Sequence, residues 1–395
     1  MKPSENNAGA TVKKRTVAIL GATGSIGRQA LDVIATDKDN FELVLITCNK
    51  NIKSLIEIAN KWNIKTVGLH SILKKTDKPL DIEVLTGNKE ISNWICEKKI
   101  DTLIFCTSGI EAFEILRDCY SSFKRICISS KEIIVMAGLC GLLDTIKSKI
   151  LLMPVDSEHV AIHQLIEKKD LRDIRRLIIT ASGGPIYSKA ELNDDISWAT
   201  KEKALKHPTW EMGAKVTIDS ATLVNKGIEI MEAKYLFGIP ESKIDVIIHP
   251  ESIIHSLIEL NDGFLFASLA IPDMRLPIQY SLYYPDKIIS KINKSLNLRD
   301  IEKLSFRNMD PKKIESIKLA YEALNNGNIY PLAYIASDEV AVEEFLNEKI
   351  TFKDIYKLIS ETLNEIKPFN NINPYNIIDI YLEIKRKSRK ILEKI

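Results

Sequence analysis

Two carboxylates, two residues apart, close an apolar run in "ILLMPVDSEHVAIHQ", residues 150–164. On an extended segment Asp156 and Glu158 point to the same side, and two neighbouring anions raise one another's pKa unless a cation sits between them. A hard divalent ion, Mg²⁺ or Mn²⁺, fits, because it takes carboxylate oxygens and keeps positions open for a substrate. The alternative is a solvated strand end with Glu158 capping the next helix. A third carboxylate stands in "VTIDSATLVNKGIEIMEAKYLF", residues 216–237. A helix beginning near Asn225 puts Asn225 and Lys226 on the same face as Glu229, either as part of a ligand site or as an ordinary Lys–Glu helix pair. Ser220, Thr222, Asn225 and Lys226, with Ser182 of the turn "TASGGP", form a set able to bind a phosphate through charge-assisted hydrogen bonds. Upstream, "KHPTWEMGAK" carries His207, Trp210 and Met212 on a stretch bracketed by Pro208 and Gly213, which reads equally as core filler or as a flap over a ligand.

A second chemistry is written at the other end of the chain. "TVAILGATGSIGRQALDVIA" is a strand, then Gly21, Gly24 and Gly27, then an amphipathic helix. Glycines there let the backbone approach a pyrophosphate, whose charge meets the N–H groups at the helix N-terminus. Where an NAD site offers Asp or Glu to the ribose, the second strand ends in Cys48-Asn49-Lys50-Asn51-Ile52-Lys53. No carboxylate appears and lysines do, so a 2′-phosphate is accepted and the dinucleotide is expected to be NADP(H); lysines that only solvate a loop are the alternative.

These residues need a scaffold, and the apolar runs outline one. "TVAIL", "FELVLIT", "TVGLH", "IEVLT", "TLIFCTS", "RICISS" and "ILLMPV" alternate with helical patterns, which predicts β-α-β crossovers and a mostly parallel sheet. The predicted class is α/β. A Rossmann-like NADP-binding domain is expected over 1–153, a central α+β domain holding metal and substrate over 154–285, a linker over 286–310 and a C-terminal helical bundle over 311–395. With 395 residues, 45% of them hydrophobic, the chain can bury more than one core. Lys+Arg 55 against Asp+Glu 53 leaves a net charge of +2, which gives no field to recruit nucleic acid or a membrane surface. No segment approaches the roughly 20 apolar residues of a membrane span. The six cysteines form no C-x-x-C pair and read as reduced residues of a cytoplasmic protein. A Tyr-x-x-x-Lys pair, Tyr120 and Lys124, offers a rival dehydrogenase reading, but it falls where a helix should end before a strand. His70 reads as a surface or core histidine.

Taken together, "GATGSIGRQALDVI", "PVDSEHVAIHQ", "TASGGP", "HPTWEMGAKVTIDSATLVNKGIEIMEAKYLF", "VIIHPESIIHS" and "PDMRLPIQYSL" resemble the 1-deoxy-D-xylulose 5-phosphate reductoisomerase family nearly end to end. The resemblance implies an NADPH- and metal-dependent rearrangement and reduction of a sugar phosphate for isoprenoid synthesis, by a cytoplasmic homodimer. It implies Asp156, Glu158 and Glu229 as ligands of Mg²⁺ or Mn²⁺, and Lys131, Ser157 and Glu158 at the substrate's hydroxyl and carbonyl end. Ser182, His207, Ser220, Asn225 and Lys226 would hold the phosphate side, with Trp210 and Met212 on the closing flap. Thr23, Gly24, Ser25 and Ile26 would cradle the cofactor's phosphates, Asn49, Lys50 and Asn51 its 2′-phosphate, and Ser130, Glu132, Met212 and Gly213 would complete its site. This chain departs from the family pattern at Asn49, Ser130, Ile133, Val160, His163 and Ile186. Those departures bear on cofactor affinity and packing and leave the three carboxylates untouched.

Overall fold

The computed structural model describes residues 14–71, 81–107, 109–110, 112–187, 196, 198–206, 212–286, 292, 295–307 and 314–395. Among them, seven strands form one parallel sheet: β1 (Arg15–Leu20), β2 (Phe41–Cys48), β3 (Thr66–Leu69), β4 (Glu83–Thr86), β5 (Thr102–Phe105), β6 (Arg125–Ile128) and β7 (Leu151–Pro154). Each matches one apolar run of the sequence. Val17 to Leu20 are wholly buried, as a strand covered on both faces must be. The crossovers carry α1 (Ser25–Ala35), α2 (Ile52–Trp62), α3 (Gly87–Lys98), α4 (Phe113–Cys119), α5 (Lys131–Leu139) and α6 (Leu142–Lys149). The strand order β4-β3-β2-β1-β5-β6-β7 reverses direction between β1 and β5, and a ligand crevice opens beyond the strand C-termini at such a reversal.

The chain then enters α7 (Ser157–Ile166) and a second, four-stranded sheet. Its strands are β8 (Ile174–Ala181), β9 (Ile244–Ile248), β10 (Ile254–Leu260) and β11 (Leu265–Leu269), in the order β11-β10-β8-β9. Between β8 and β9 lie α8 (Gly184–Tyr187), α9 (Lys201–Ala204), α10 (Ala214–Thr222) and α11 (Val224–Phe237). Helix α7 packs against β10 and β11 and so shares their apolar face.

Chain position and packing part company at α12 (Arg275–Tyr283). By sequence it belongs with the second sheet, but Ile278, Leu282 and Tyr283 enter the core built on β1 and β2. The Arg125 guanidinium of β6 donates to the Ser281 carbonyl at 3.0 Å. The first sheet thus draws part of its covering layer from a segment well over a hundred residues downstream.

Helices α13 (Glu315–Asn326), α14 (Tyr330–Leu346), α15 (Phe352–Glu365) and α16 (Ile377–Leu392) form the C-terminal bundle around α14, which also packs on α10. Leu332 to Asp338 of α14 are all buried, which a helix with neighbours on every side requires. Helix α11 comes this close because residue 227 is glycine: a Cβ there would lie 2.5 Å from the Tyr334 hydroxyl. No helix among the described residues is long and apolar enough to cross a membrane.

Asp101 locks the N-terminal ends of three strands. Its Oδ2 accepts the Thr16 backbone N–H at 3.0 Å and the Thr16 hydroxyl at 2.9 Å, and Lys124 reaches its Oδ1 at 2.7 Å. Burial alone would raise its pKa, but the Lys124 and Thr16 hydrogen bonds win and lower it. A carboxylate depressed on folding contributes stability above its unfolded pKa, about 3.9, and loses it as pH falls through the lower folded value. Asp101→Asn should therefore lower stability at pH 7, by about 1 kcal/mol once solvent screening is allowed for, with the difference shrinking as pH falls below the unfolded value of about 3.9; urea denaturation at neutral and at acid pH measures both.

Candidate active site

The two carboxylates that end the β7 run do not converge by strand alternation. Asp156 is the N-cap of α7, and its Oδ1 accepts the Glu158 backbone N–H at 3.1 Å. Glu158 therefore lies in the first helical turn, where the helix dipole favours an anion. The expected extended segment is replaced by a cap, because an Asp ahead of an apolar helical stretch satisfies otherwise orphaned N–H groups. Glu229 arrives from α11, which begins at Val224, close to the predicted start. One carboxylate oxygen each from Asp156, Glu158 and Glu229 lies within 4.8 Å of the others.

Two ammonium groups stand among these anions. Lys131, the first residue of α5, pairs with Asp156 and lies 3.5 Å from Glu229. Lys226 bonds Glu229 within its own helix and reaches Glu158 at 3.2 Å. The pair at 226 and 229 is thus both a helix pair and part of the cluster, and both residues are buried. Burial disfavours each ammonium, yet the carboxylates outweigh it and raise both lysines above their ordinary range. Asp156 is likewise resisted by burial but held well below the carboxylate range by Lys131 and His159. Glu158 moves up, because burial and its two anionic neighbours outweigh Lys226.

His159 and Glu232 were not singled out by sequence. The His159 ring faces the Glu229 carbonyl through Nε2 and Asp156 Oδ1 through Nδ1, both at 3.1 Å, with Glu232 3.5 Å from Nδ1. Burial opposes its charge, but the carboxylates of Glu232 and Asp156 push its pKa up to about 9. The available signal was spacing: His159 lies three residues after Asp156 and Glu232 three after Glu229, each one turn along the same helix face.

A cavity of about 240 Å³ opens over this cluster. Lys131, Ser157, Glu158, Ser182, Ser220, Asn225, Lys226 and Glu229 line it, and Ser25, Ile26, Glu132, Met212 and Gly213 line it too. Thr222 of the phosphate set instead turns back into its helix, its hydroxyl donating to the Ile218 carbonyl at 3.0 Å. His207 and Trp210 lie outside the described residues. A second cavity, at the crevice between β1 and β5, is lined by Gly21, Thr23, Gly24, Asn49 and Lys50 together with His70 and Thr107. Gly21 has φ +94°, and a Cβ on it would lie 2.5 Å from the Cys106 carbonyl oxygen, so only glycine makes this turn. Asn51 caps α2, its side chain accepting the Ser54 N–H at 3.1 Å. Ser130 lies ahead of α5 and lines neither cavity; its hydroxyl donates to the carbonyl of Thr107, which lines the second. The rival pair is apart: the Tyr120 hydroxyl meets Lys149 at 3.2 Å while Lys124 pairs with Asp101.

A sequence profile of 1-deoxy-D-xylulose 5-phosphate reductoisomerase matches residues 17–138, and profiles of the C-terminal domains match 152–237 and 269–391. The 1-deoxy-D-xylulose 5-phosphate reductoisomerase of Thermoanaerobacter pseudethanolicus is 41% identical over 382 residues, covering 95% of this chain and 99% of its own. The chain belongs to the 1-deoxy-D-xylulose 5-phosphate reductoisomerase family. The reductoisomerase from Zymomonas mobilis, solved in complex with NADPH, superposes with a TM-score of 0.86 at 31% identity, over 97% of this chain and 100% of that one. A DOX-P reductoisomerase in complex with NADPH, fosmidomycin and magnesium gives 0.85 at 32% identity, over 95% and 97%.

Two ammoniums offset only part of the charge of three carboxylates in this cluster, so removing one leaves buried anions unpaired. Lys226→Met is expected to lower stability by about 3 kcal/mol in chelator, with part of the loss recovered on adding Mg²⁺. Paired urea titrations measure the two effects.

Proposed function

We propose that this chain converts 1-deoxy-D-xylulose 5-phosphate to 2-C-methyl-D-erythritol 4-phosphate, using NADPH and a divalent metal, in non-mevalonate isoprenoid biosynthesis. One observation carries the reading: three carboxylates from α7 and α11 meet at one point, beside a cavity that the cofactor-side residues Ser25, Ile26 and Met212 also line. The donor set fits a hard divalent ion, Mg²⁺ or Mn²⁺. All three groups offer oxygen, and the cluster already draws two ammonium ions to itself.

Asp156, Glu158 and Glu229 would hold the metal, which supplies Lewis-acid stabilisation of charge developing on the substrate's carbonyl and hydroxyl oxygens, while NADPH supplies the hydride. Lys131 keeps its proton among the carboxylates, and with Ser157 it orients the substrate's oxygens and donates at Nζ. Ser182, Ser220, Asn225 and Lys226, with His207 from the neighbouring stretch, grip the phosphate. Binding energy from that remote group is then available for closing the segment that carries Trp210 and Met212 and for excluding water. Thr23, Gly24, Ser25 and Ile26 receive the cofactor's phosphates, and Asn49 and Lys50 its 2′-phosphate. Ser130, Glu132, Met212 and Gly213 would complete the cofactor's site. Asn51 serves this site through its helix cap, which sets the start of α2.

The same reading makes the protein a cytoplasmic homodimer. Its six cysteines are free thiols, which suits a reducing compartment. The edge strand β11 and its turn expose Phe264, Leu265, Phe266 and Leu269, an apolar edge that a second copy would cover.

NADPH oxidation should require 1-deoxyxylulose 5-phosphate and stop in chelator. Glu229→Gln should keep NADPH binding and lose turnover by at least about a hundredfold; near-normal activity in that variant at limiting Mg²⁺ or Mn²⁺ would overturn the metal assignment. Light scattering should give a dimer for the native chain and a monomer for Phe266→Asp.

A further inference from the structure

The cavity at the end of β1 contains a histidine with no place in the chemistry above. His70 follows β3, lines that cavity with Gly21, Thr23, Gly24, Asn49 and Lys50, and uses both ring nitrogens. Its Nε2 meets the Thr47 hydroxyl at 2.7 Å and its Nδ1 meets Asn88 Oδ1 at 3.0 Å. Asn88, near the start of α3, donates through Nδ2 to the Glu114 carboxylate of α4 at 3.3 Å. At the other end, the Gly21 backbone N–H is shared between the Thr47 hydroxyl oxygen at 3.2 Å and the Thr47 carbonyl at 3.1 Å, so the hydroxyl adds a second hold to a turn that the strand's own backbone already meets.

The carboxylate sets the direction of the whole row. Glu114 accepts only, so the Asn88 amide must turn its NH₂ toward it and its oxygen toward His70. Nδ1 then carries a proton toward Asn88, and in that neutral tautomer the ring accepts at Nε2. The Thr47 hydroxyl donates there, which leaves its lone pairs for the N–H of Gly21. Thr47 is wholly buried, so water does not replace a lost partner. The row runs from α4 to the one residue in the turn whose φ requires glycine.

We propose that His70 is a positioning residue for the dinucleotide: by holding the Thr47 hydroxyl it fixes the Gly21 turn against which the NADPH pyrophosphate docks. The inference rests on the NADPH reading above. It gives this chain a polar clamp on the glycine turn, supplied from β3 and α3, in a pocket whose second strand offers no carboxylate.

The test is NADPH titration of the full chain, followed by nucleotide fluorescence, with steady-state kinetics alongside. His70→Phe keeps the ring and removes both hydrogen bonds; it should weaken NADPH binding about fivefold to tenfold. That loss should appear in KM for NADPH, with KM for the sugar phosphate within twofold. Asn88→Leu does not alter a cavity-lining residue and should shift NADPH affinity in the same direction, which keeps the test decisive should His70→Phe fail to fold. In a Thr47→Val background, His70→Phe should add less than twofold, because both act through one hydroxyl. NADPH affinity within twofold of native in both His70→Phe and Asn88→Leu, additive effects of the Thr47 and His70 changes, or a loss confined to kcat would each overturn the proposal. A native chain that binds no NADPH would overturn the functional reading itself, whereas native binding with unaffected variants overturns only the role of His70.

Discussion

Three carboxylates, two of them buried and one half-buried, within 4.8 Å of one another are the constraint on which this structure turns. At an effective dielectric of about 20, each pair of like charges at that separation repels by about 3 kcal/mol. Lys131 and Lys226 offset that repulsion, and each lies between two of the acids. A centre built this way is ready for a cation of higher charge, since the ammoniums already mark where positive charge is stabilised. It also explains why the surroundings are polar: an unpaired member would face the full cost of burial.

The surrounding elements can be understood as answers to that constraint. Asp156 and Glu158 are delivered by a helix N-terminus, whose dipole and free N–H groups favour anions. Glu229 comes from α11, seated against α5 and the bundle. Lys131 opens α5 on the first sheet, so the centre is completed only where the helices of the first sheet meet the second. A further ion cluster, with two buried carboxylates, reinforces that junction: Lys215 of α10 reaches Asp219 at 2.6 Å, Asp338 of α14 at 3.0 Å and Glu132 of α5 at 3.6 Å. It joins the helix that follows Met212 and Gly213 to both α5 and the C-terminal bundle.

Much of the architecture was legible without coordinates. The seven strands of the parallel sheet coincide with seven apolar runs, because a strand covered on both faces must be continuously hydrophobic. The second sheet was harder to read: its strands carry Ser256, Glu259 and Ser268 among apolar residues, and its order β11-β10-β8-β9 mixes directions. The placement of α12 was not legible at all, since nothing in its periodicity says which of two apolar cores it will cover. Thr222 misled for a similar reason: a hydroxyl in a polar-rich stretch reads as a ligand group, whereas in a helix it can turn back to a carbonyl one turn earlier.

By itself the sequence determined which kinds of chemistry were possible: oxygen donors for a hard cation, glycines where a backbone must meet a pyrophosphate, lysines where a 2′-phosphate is to be accepted. Residue type and short-range spacing are enough for that, because donor identity and local backbone freedom are properties of the chain. Tertiary structure alone decided which groups share a field. Asp156 and Glu229 are separated by more than seventy residues, as are His159 and Glu232, and His70 reaches Gly21 only through Thr47. Coulomb and hydrogen-bond energies depend on distance in space and on burial, and neither exists until the sheets and helices have packed.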